Sequence, residues 1–454
     1  MNNVASRALI VLVLVAVLIG GTIFFAVDYG MNGKDWVMTS GSPHIYQKNG
    51  VGRGVVTDAD DTILLTLNEN RTYSSSSVIR KSTLHWVGDR SGNISSAILT
   101  QYASEIAGYD PLGGTYRFGD EAGQLKLTLN AQVQAAALEA MGRYKGTIAV
   151  YNYETGEIIF AVTTPTYDPD NVPDIAGDTT GAYDGVYVNR FLKSAYTPGS
   201  IFKIVTLATA LECLPGVESQ TFTCTGTVQY GVDKVTCERA HGEQTLKEAF
   251  CNSCNCAFGE LTLQIGKDRM QRYVQRFGLT ESIAFDGLTT TKGNFEVSNA
   301  VDQELAWSGI GQYTDLINPC AFVRFVGAIG NGGVLSKPHV VSEITIGKSK
   351  TYSAKISEAE RIMSTSTAET LAAYMNNNVV NKYGANNFPG LYVCAKSGTG
   401  EVGGGKRPNA MFAGFVEDAT LPLAFIVCIE DGGYGAQVCI PVLSRVLAAC
   451  KDNR

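Results

Sequence analysis

The hydrophobic pattern of the chain begins with one long uncharged run. Residues 8–27 contain no charged side chain, and about twenty apolar residues are enough to span a bilayer as a helix. A secretory signal peptide has a shorter apolar core and a small-residue cleavage site, whereas the apolar residues 24–27 extend this run. We therefore predict an uncleaved transmembrane helix over about 8–27. Arg7 and the amino terminus precede it, which predicts a cytoplasmic N-terminus and an extracytoplasmic remainder.

Later in the chain, several short apolar runs have the pattern of β-strands. Two lie early and three lie late: 146–151, 157–162, 391–396, 410–416 and 423–429. The first two flank a Glu-Thr-Gly turn and predict a hairpin. A helical run follows the last strand at 440–449, and residues 198–380 between the two groups are mostly helical. This order predicts an α+β domain, in which strands from both ends of the domain form one antiparallel sheet with helices packed on it.

The region between the transmembrane run and these strands has a different pattern. Residues 28–50 are polar and glycine-rich, and short strand-like runs follow at 55–57 and 62–67. The pattern changes near Gly123, where a strand-like run precedes a helix that Asn130 can cap. We therefore predict three parts: a membrane anchor over 1–30, a juxtamembrane stalk with a small β-rich domain over 31–124, and a large domain over 125–454.

Composition narrows the class of protein. Hydrophobic residues make up 45% and charged residues 17% of the chain, which is typical of globular rather than disordered proteins. The formal net charge of -7 and the lack of a long basic run argue against a nucleic-acid partner. With 454 residues, the chain is long enough for more than one folded unit.

The segment 196–203, Tyr-Thr-Pro-Gly-Ser-Ile-Phe-Lys, carries the first candidate for chemistry. Pro198 suits the first turn of a helix, and the apolar run behind it predicts a buried helix. Ser200 and Lys203 are three residues apart and would share one helix face. A serine held beside an amine is typical of nucleophilic catalysis. By itself, however, such a pair is more often an ordinary helix-start serine beside a solvated lysine.

Two further motifs follow in the order that this chemistry needs. Residues 253–255 read Ser-Cys-Asn, an S-x-N sequence, and residues 396–398 read Lys-Ser-Gly, a K-[ST]-G sequence that ends a strand-like run. Either motif alone would most often be a helix cap or a turn. Ser200 is the only serine with a lysine three positions later, and the chain has no second K-[ST]-G. The ordered set is that of penicillin-binding proteins and class A β-lactamases.

From about Leu125 to its end, the chain resembles the class B penicillin-binding transpeptidases of bacterial cell-wall synthesis. Beyond the three motifs, the hairpin at 146–158, the Asn-Arg pair at 189–190 and the Gly-Ile-Gly-Gln segment at 309–312 are similar to family segments. Residues 53–58 are similar to the start of the class B pedestal domain. The chain departs from the family at 59–61, where Ala-Asp-Asp stands in place of the usual Arg-Asn-Gly.

The resemblance implies a fold and an activity. The fold is a transmembrane helix, a small β-rich pedestal, and a transpeptidase domain with a five-stranded antiparallel sheet, flanking helices and a helical subdomain. The activity is D,D-transpeptidation without a cofactor, which cross-links peptidoglycan stem peptides that end in D-Ala-D-Ala and is blocked by β-lactams. The implied partners are these peptides, β-lactams, the cytoplasmic membrane and a separate membrane glycan polymerase.

The resemblance also gives the catalytic residues their expected roles. Ser200 would be the nucleophile, and Lys203 would take its proton. Lys203 can do so only as a neutral amine, so burial or another cation must depress its pKa, and Lys396 is the candidate cation. Ser253 would relay a proton to the leaving amine.

Substrate binding is expected from the residues around these groups. Asn255 can hydrogen-bond an amide of the peptide. Ser397, Gly398 and Thr399 are expected to bind its end, because two hydroxyl groups beside the charge of Lys396 suit a terminal carboxylate. The resemblance further implies that the backbone N–H groups of Ser200 and Thr399 form an oxyanion hole.

The eleven cysteines raise two separate questions. Cys224 and Cys237 flank a turn-rich segment, where either a disulfide or two free thiols would be reasonable. Three cysteines within 251–256 could suggest a metal site. A zinc site needs four ligands with a recognisable second pair, however, and Cys237 and His241 are badly spaced for that role. We predict no metal.

Two other functions fit the same motifs. The site could hydrolyse its acyl-enzyme, as a D,D-carboxypeptidase or a β-lactamase does, although an anchor and a pedestal disfavour this. Alternatively, the chain could be a non-catalytic, penicillin-recognising sensor or scaffold that is acylated without turnover. The products distinguish these functions: cross-linked dimer, free D-Ala with a shortened stem, or a stable adduct.

Overall fold

A long apolar helix begins the chain. The computed structural model describes residues 2–37, 54–67, 71–102, 105–106, 123–231, 233–355 and 360–453. Its first helix, α1 (Asn2–Val37), is long and apolar enough to cross a membrane, and its side chains from 4 to 27 are exposed. The helix extends the predicted span of 8–27 in both directions. Much of the predicted stalk, and the 107–122 part of the predicted small domain, lie outside the described residues.

The remaining helices and strands have the following bounds. The helices are α2 (Ser77–Val87), α3 (Ile98–Gln101), α4 (Ala131–Met141), α5 (Arg190–Lys193), α6 (Lys203–Cys213), α7 (Leu246–Cys251), α8 (Asn255–Ile265), α9 (Lys267–Arg276), α10 (Asp302–Ser308), α11 (Pro319–Gly330), α12 (Thr365–Asn378) and α13 (Gly435–Asp452). The strands are β1 (Val55–Thr57), β2 (Ile63–Thr66), β3 (Thr72–Tyr73), β4 (Gly123–Leu127), β5 (Gly146–Asn152), β6 (Ile158–Thr164), β7 (Thr221–Cys224), β8 (Thr227–Tyr230), β9 (Asp233–Thr236), β10 (Gly242–Thr245), β11 (Ala284–Phe285), β12 (Leu288–Thr289), β13 (Val334–Leu335), β14 (Val341–Ile346), β15 (Ser349–Ser353), β16 (Glu360–Arg361), β17 (Val393–Gly400), β18 (Asn409–Val416) and β19 (Leu423–Ile429).

The central sheet of the large domain has five strands in the order β17-β18-β19-β5-β6, and every neighbouring pair is antiparallel. The two N-terminal strands and the three C-terminal strands therefore meet between β5 and β19, which confirms the predicted α+β fold with its five-stranded sheet. Every residue of β18 and β19 is buried. Such strands read as continuous apolar runs because helices cover both of their faces.

Helices cover the two faces of this sheet. Ile148 and Val150 of β5 pack in the core that includes α4 and α13, whereas Ala149 and Tyr151 pack in the core that includes α11. This alternation follows from the two-residue period of a strand. The predicted C-terminal helix at 440–449 lies within α13. The side chain of Asn130 caps α4 as expected, because it accepts hydrogen bonds from the backbone N–H groups of Gln132 and Val133.

A second sheet combines the N-terminal region with part of the large domain. Its strand order is β15-β14-β4-β1-β2-β3, in which β4 pairs parallel to β1 and antiparallel to β14. The predicted boundary at residues 124 and 125 therefore falls within β4. The stretch 198–380, which the sequence predicts to be mostly helical, also contains the strands β7 to β16. Because β14 and β15 are among them, this stretch both contains the active-site helices and pairs with the N-terminal sheet.

Candidate active site

Ser200 lies in a tight turn that leads directly into a buried helix. Residues Gly199–Phe202 form a 3-10 turn, from which α6 continues at Lys203. The first turns of α6 are buried on every side, because its sequence has almost no polar face. As the spacing predicts, the Nζ atom of Lys203 lies 3.1 Å from the Oγ atom of Ser200. We call residues 196–203 the nucleophile turn.

Two glycines allow the nucleophile turn and β17 to approach each other. Gly199 has a φ of 54°, in the left-handed region that favours glycine. A Cβ atom at Gly199 would lie 2.2 Å from the carbonyl oxygen of Thr399, and one at Gly398 would lie 2.7 Å from the carbonyl oxygen of Pro198. Either clash would force the backbone to move. The first and third motifs therefore touch through backbone atoms.

The amine of Lys203 contacts four oxygen atoms of the site. Its Nζ atom lies 3.1 Å from Ser200 Oγ, 2.6 Å from the carbonyl oxygen of Ser253, 3.2 Å from Ser253 Oγ and 2.7 Å from Asn255 Oδ1. These four oxygens belong to the first and second motifs. One amine therefore joins the nucleophile to both polar side chains of the S-x-N sequence.

The S-x-N motif forms a strained turn between α7 and α8. Ser253 has a φ of 55°, which is uncommon for a residue other than glycine and often marks a functional site. Its Oγ atom lies 3.0 Å from Lys396 Nζ as well as 3.2 Å from Lys203 Nζ. Ser253 therefore connects the two amines. We call residues 253–255 the S-x-N turn.

Both amines are removed from water, since Lys203 is 0% and Lys396 is 1% exposed. Burial lowers the pKa of Lys203 to about 8. Burial first, and then the charge of Lys203, hold the pKa of Lys396 well below its usual range. A buried pair that shares one hydroxyl group disfavours two simultaneous positive charges. The site can therefore hold Lys203 as a neutral amine, the form that a base requires.

The strand β17 carries the third motif along the edge of the central sheet. Ser397 and Thr399 alternate with buried neighbours and are partly exposed. The backbone N–H of Ser397 donates to Tyr383 Oη at 2.9 Å, and Ser397 Oγ lies 3.0 Å from the same oxygen. Gln312 Nε2 donates to the carbonyl oxygen of Thr399 at 3.3 Å. The Gly-Ile-Gly-Gln segment at 309–312 therefore supports β17 directly.

Sequence reasoning did not identify Tyr383 or Glu430 as parts of the site. Tyr383 ends the π-helical turn Val379–Tyr383, and nothing in its local sequence indicates that it contacts β17. Glu430 follows β19 and accepts hydrogen bonds from Arg190 Nε at 2.7 Å and from Tyr196 Oη at 3.2 Å. The Asn-Arg pair at 189–190 thus ties the approach to the nucleophile turn to the central sheet.

The cysteines near the S-x-N turn are free thiols. All eleven cysteines lie among the described residues, and none forms a disulfide. The disulfide that Cys224 and Cys237 could have formed is therefore not present. Instead, Cys237 Sγ accepts a hydrogen bond from the backbone N–H of Asn255 at 3.1 Å.

Comparisons with known sequences agree with this geometry. The penicillin binding protein transpeptidase domain model matches residues 146–448. The peptidoglycan D,D-transpeptidase PbpA of Mycolicibacterium smegmatis is 29% identical over 383 residues, which cover 76% of this chain and 74% of that protein. Stage V sporulation protein D of Bacillus subtilis is 28% identical over 348 residues, which cover 71% of this chain and 52% of that protein.

Solved structures have the same fold. The penicillin G acyl-enzyme of penicillin-binding protein A from Mycobacterium tuberculosis matches with a TM-score of 0.75 and 22% identity, over 88% of this chain and 100% of that chain. The D,D-transpeptidase domain of a peptidoglycan glycosyltransferase from Eggerthella lenta matches with a TM-score of 0.76 and 26% identity, over 88% of this chain and 99% of that chain. With the family model matching more than half of its length, the chain belongs to the class B penicillin-binding protein transpeptidases.

Proposed function

We propose that the chain is a membrane-anchored D,D-transpeptidase that cross-links peptidoglycan stem peptides and is inhibited by β-lactams. One observation carries the proposal: Ser200, Lys203, Ser253 and Lys396 form a continuous series of polar contacts between 3.0 and 3.2 Å. The names of relatives such as PbpA support the reaction, and the penicillin G acyl-enzyme of a structural neighbour supports β-lactam sensitivity.

Acylation begins with proton transfer from Ser200 to Lys203. The neutral amine takes the hydroxyl proton while Ser200 Oγ attacks the carbonyl carbon between the two D-Ala residues. With a pKa of about 8, roughly a tenth of Lys203 is neutral at pH 7. The backbone N–H groups of Ser200 and Thr399 stabilise the oxyanion that forms. Their placement at the contact between the nucleophile turn and β17 supports this assignment.

Collapse of the tetrahedral intermediate needs a proton on the leaving amine. Ser253 Oγ lies 3.2 Å from Lys203 Nζ, so that it can pass the proton to the nitrogen of the departing D-Ala. Lys396, 3.0 Å away on its other side, orients the same hydroxyl group. The amine of a second stem peptide then attacks the ester carbonyl carbon and loses its proton by the reverse route. Ser200 is thereby regenerated.

Recognition of the donor peptide falls to the residues that border the two amines. Asn255 lies beside Lys203, with its Oδ1 atom 2.7 Å from Lys203 Nζ, and its side-chain amide would hydrogen-bond a backbone amide of the stem peptide. The hydroxyl groups of Ser397 and Thr399, together with the charge of Lys396, bind the terminal carboxylate. Gly398 keeps the edge strand close to the nucleophile turn, where a side chain would clash.

We further propose a single-pass arrangement with the large domain outside the cytoplasm. The exposed apolar helix α1 supports an anchor, and an extracytoplasmic substrate supports the orientation. We also propose a division into 1–30, 31–124 and 125–454. The transpeptidase domain is the last part, which contains the family match at 146–448, and β4 joins it to the part before it. A separate membrane glycan polymerase would supply the strands to be cross-linked.

The test is a product assay with a D-Ala-D-Ala stem peptide and an amine acceptor, comparing the wild type with Ser200→Ala. We expect cross-linked product and free D-Ala from the wild type only. Free D-Ala without cross-linked product would instead indicate a carboxypeptidase, and hydrolysed penicillin a β-lactamase. A permanent adduct without turnover would indicate a sensor. Circular dichroism of Ser200→Ala shows whether the variant is folded.

A further inference from the structure

Four side chains of the kinds that bind transition metals converge beside the S-x-N turn. Cys224 ends β7, Cys237 follows β9, His241 precedes β10, and Cys254 is the N-cap of α8. Their ligand atoms all lie within 4.8 Å of one another. We propose that these four side chains bind one zinc ion, which fixes the S-x-N turn in its strained conformation.

The separations between the ligand atoms fit a tetrahedral ion. Zinc–sulfur bonds of about 2.3 Å place two ligands of a tetrahedral site about 3.8 Å apart. Cys237 Sγ lies 3.7 Å from Cys254 Sγ and 3.7 Å from His241 Nδ1. A disulfide would need a sulfur–sulfur distance of about 2.0 Å. Three thiols and one imidazole form a Cys3His set, which is typical of closed structural zinc sites.

Backbone N–H groups surround the sulfur atoms as they do in thiolate–metal sites. The N–H of Asn255 lies 3.1 Å from Cys237 Sγ, and the N–H of Ala257 lies 3.5 Å from Cys254 Sγ. Such donors orient the ligands and stabilise their negative charge. The N–H of His241 also donates to the carbonyl oxygen of Cys224 at 3.0 Å, so the strands that carry two ligands are already joined.

The site is joined directly to the proposed catalytic residues. Cys254 lies between Ser253 and Asn255, both of which contact Lys203. A metal bond to Cys254 would therefore restrain the neighbouring Ser253 and help to offset the free-energy cost of its φ of 55°. Asn255 is restrained a second time, because its Nδ2 donates to the carbonyl oxygen of Thr236, one residue before the ligand Cys237.

Sequence spacing does not reveal this ligand set. It places Cys254, Cys237 and His241 in one candidate group, but with Cys251 and Cys256 in place of Cys224. The four ligands come from two two-stranded sheets and a helix start, with twelve residues between the first pair and twelve between the last. Only the pairing of β7 with β10 and of β8 with β9 brings them together.

Zinc content measures the site independently of catalysis. The full-length chain, purified in detergent under reducing conditions, is expected to contain about one zinc ion per chain by elemental mass spectrometry. Cys224→Ser and His241→Ala should weaken zinc binding by more than the roughly 10–100-fold that loss of a second-shell partner costs. His241→Cys restores four ligands and should retain zinc. Cobalt(II) exchange should give the thiolate charge-transfer bands of a tetrahedral site.

Two matched cysteine variants control for general effects of thiol loss. Cys213→Ser and Cys251→Ser change half-buried cysteines outside the four-ligand group and should leave the zinc content unchanged. Zinc loss in either of these variants, with retention in Cys224→Ser, would overturn the assignment. So would a metal-free wild-type chain, whether its four side chains are unbound or Cys237 and Cys254 are found joined as a disulfide.

The catalytic consequence rests on the proposed function, but the zinc content does not. Removal of zinc by a chelator should slow acylation by a fluorescent penicillin, and added zinc should restore the rate. An unchanged rate in a chain that has lost its zinc would contradict the restraint of the S-x-N turn while leaving the metal site intact. If instead zinc is present but no penicillin labels the chain, the proposed function fails and the metal assignment stands.

Discussion

The nucleophile turn and the S-x-N turn meet at the same amine, but they are held in different ways. The nucleophile turn is held by backbone atoms, since the N–H of Gly199 donates to the carbonyl oxygen of Gly311 at 2.8 Å and Gly398 packs against Pro198. The S-x-N turn also has backbone hydrogen bonds to α7, but each of its contacts with Lys203, Lys396 and the thiol of Cys237 involves a side chain. Substitutions that add atoms should therefore disturb the nucleophile turn, whereas substitutions that remove side-chain atoms should disturb the S-x-N turn.

Loss of the shared amine should have the largest effect, because it disconnects both turns at once. Lys203→Met keeps an unbranched side chain at a buried position but removes the base. We expect acylation by a fluorescent penicillin to slow by about 10²–10⁴-fold, the usual contribution of a general base. Labelling reactions that are quenched at successive times measure the acylation rate. Lys193→Met, at an exposed lysine outside the site, is the control. If Lys203→Met were acylated at the wild-type rate, the amine could not be the base that takes the proton of Ser200.

Addition of one methyl group should break the backbone-held turn. In Gly199→Ala, the new Cβ would lie 2.2 Å from the carbonyl oxygen of Thr399, so the nucleophile turn and β17 must separate. Displacement of a reacting group by about 1 Å can cost roughly 100-fold in rate. We expect a loss of that size in penicillin labelling, together with a lower melting temperature.

A second glycine separates this clash from backbone strain. Gly403 has a φ of 69°, but a Cβ there would meet nothing within 4 Å. Gly403→Ala therefore adds the conformational cost without the contact and should label at close to the wild-type rate. Equal losses in the two variants would show that strain, and not the contact with β17, explains the effect of Gly199→Ala.

The pH dependence of acylation tests the chemistry that both turns share. Burial lowers the pKa of Lys203 to about 8, and only its neutral form can take the proton of Ser200. The rate should therefore rise as the pH increases through about 8, by roughly tenfold between pH 7 and pH 9. Initial labelling rates at matched ionic strength give the profile. A rate that is flat or falls over this range would show that Lys203 is not the titrating base.

A hydroxyl deletion beside β17 should have the smallest effect. Tyr383→Phe removes the oxygen that accepts from the N–H of Ser397 at 2.9 Å. One neutral hydrogen bond contributes about 0.5–1.5 kcal/mol, so we expect a change of only about 2- to 10-fold in the KM for the stem peptide. Tyr392→Phe, at a tyrosine that is 51% exposed, should have no effect. Equal effects of the two substitutions would show that the hydroxyl group of Tyr383 does not support β17 for substrate binding.

The sequence predicts the parts of this molecule whose causes are local. The strands of the central sheet are apolar runs that are buried on both faces, and Ser200 and Lys203 share a helix turn, so periodicity locates all of them. Tyr383 and Glu430 are different, because each reaches the site only through a tertiary contact with a distant segment.

The same distinction limits what the sequence can say about domain boundaries and metal ligands. The strand β4 pairs with β14, more than two hundred residues later, and a boundary drawn from composition cannot detect that pairing. The four side chains of the proposed zinc site likewise lie near one another only because the β7–β10 and β8–β9 pairs bring three of them to the start of α8. Long-range register, which is set by packing of the whole domain, is not encoded in any single window of sequence.

The position of the covalent penicillin adduct shows directly whether Ser200 is the nucleophile. The full-length chain is incubated with penicillin, digested and mapped by mass spectrometry, alongside Ser200→Ala and Ser91→Ala. Ser91 is an exposed serine in the Ser-Gly-Asn sequence at 91–93, which also fits S-x-N. We expect one adduct, on Ser200, in the wild type and in Ser91→Ala, and none in Ser200→Ala. An adduct on another residue, or continued labelling of Ser200→Ala, would contradict this role of Ser200.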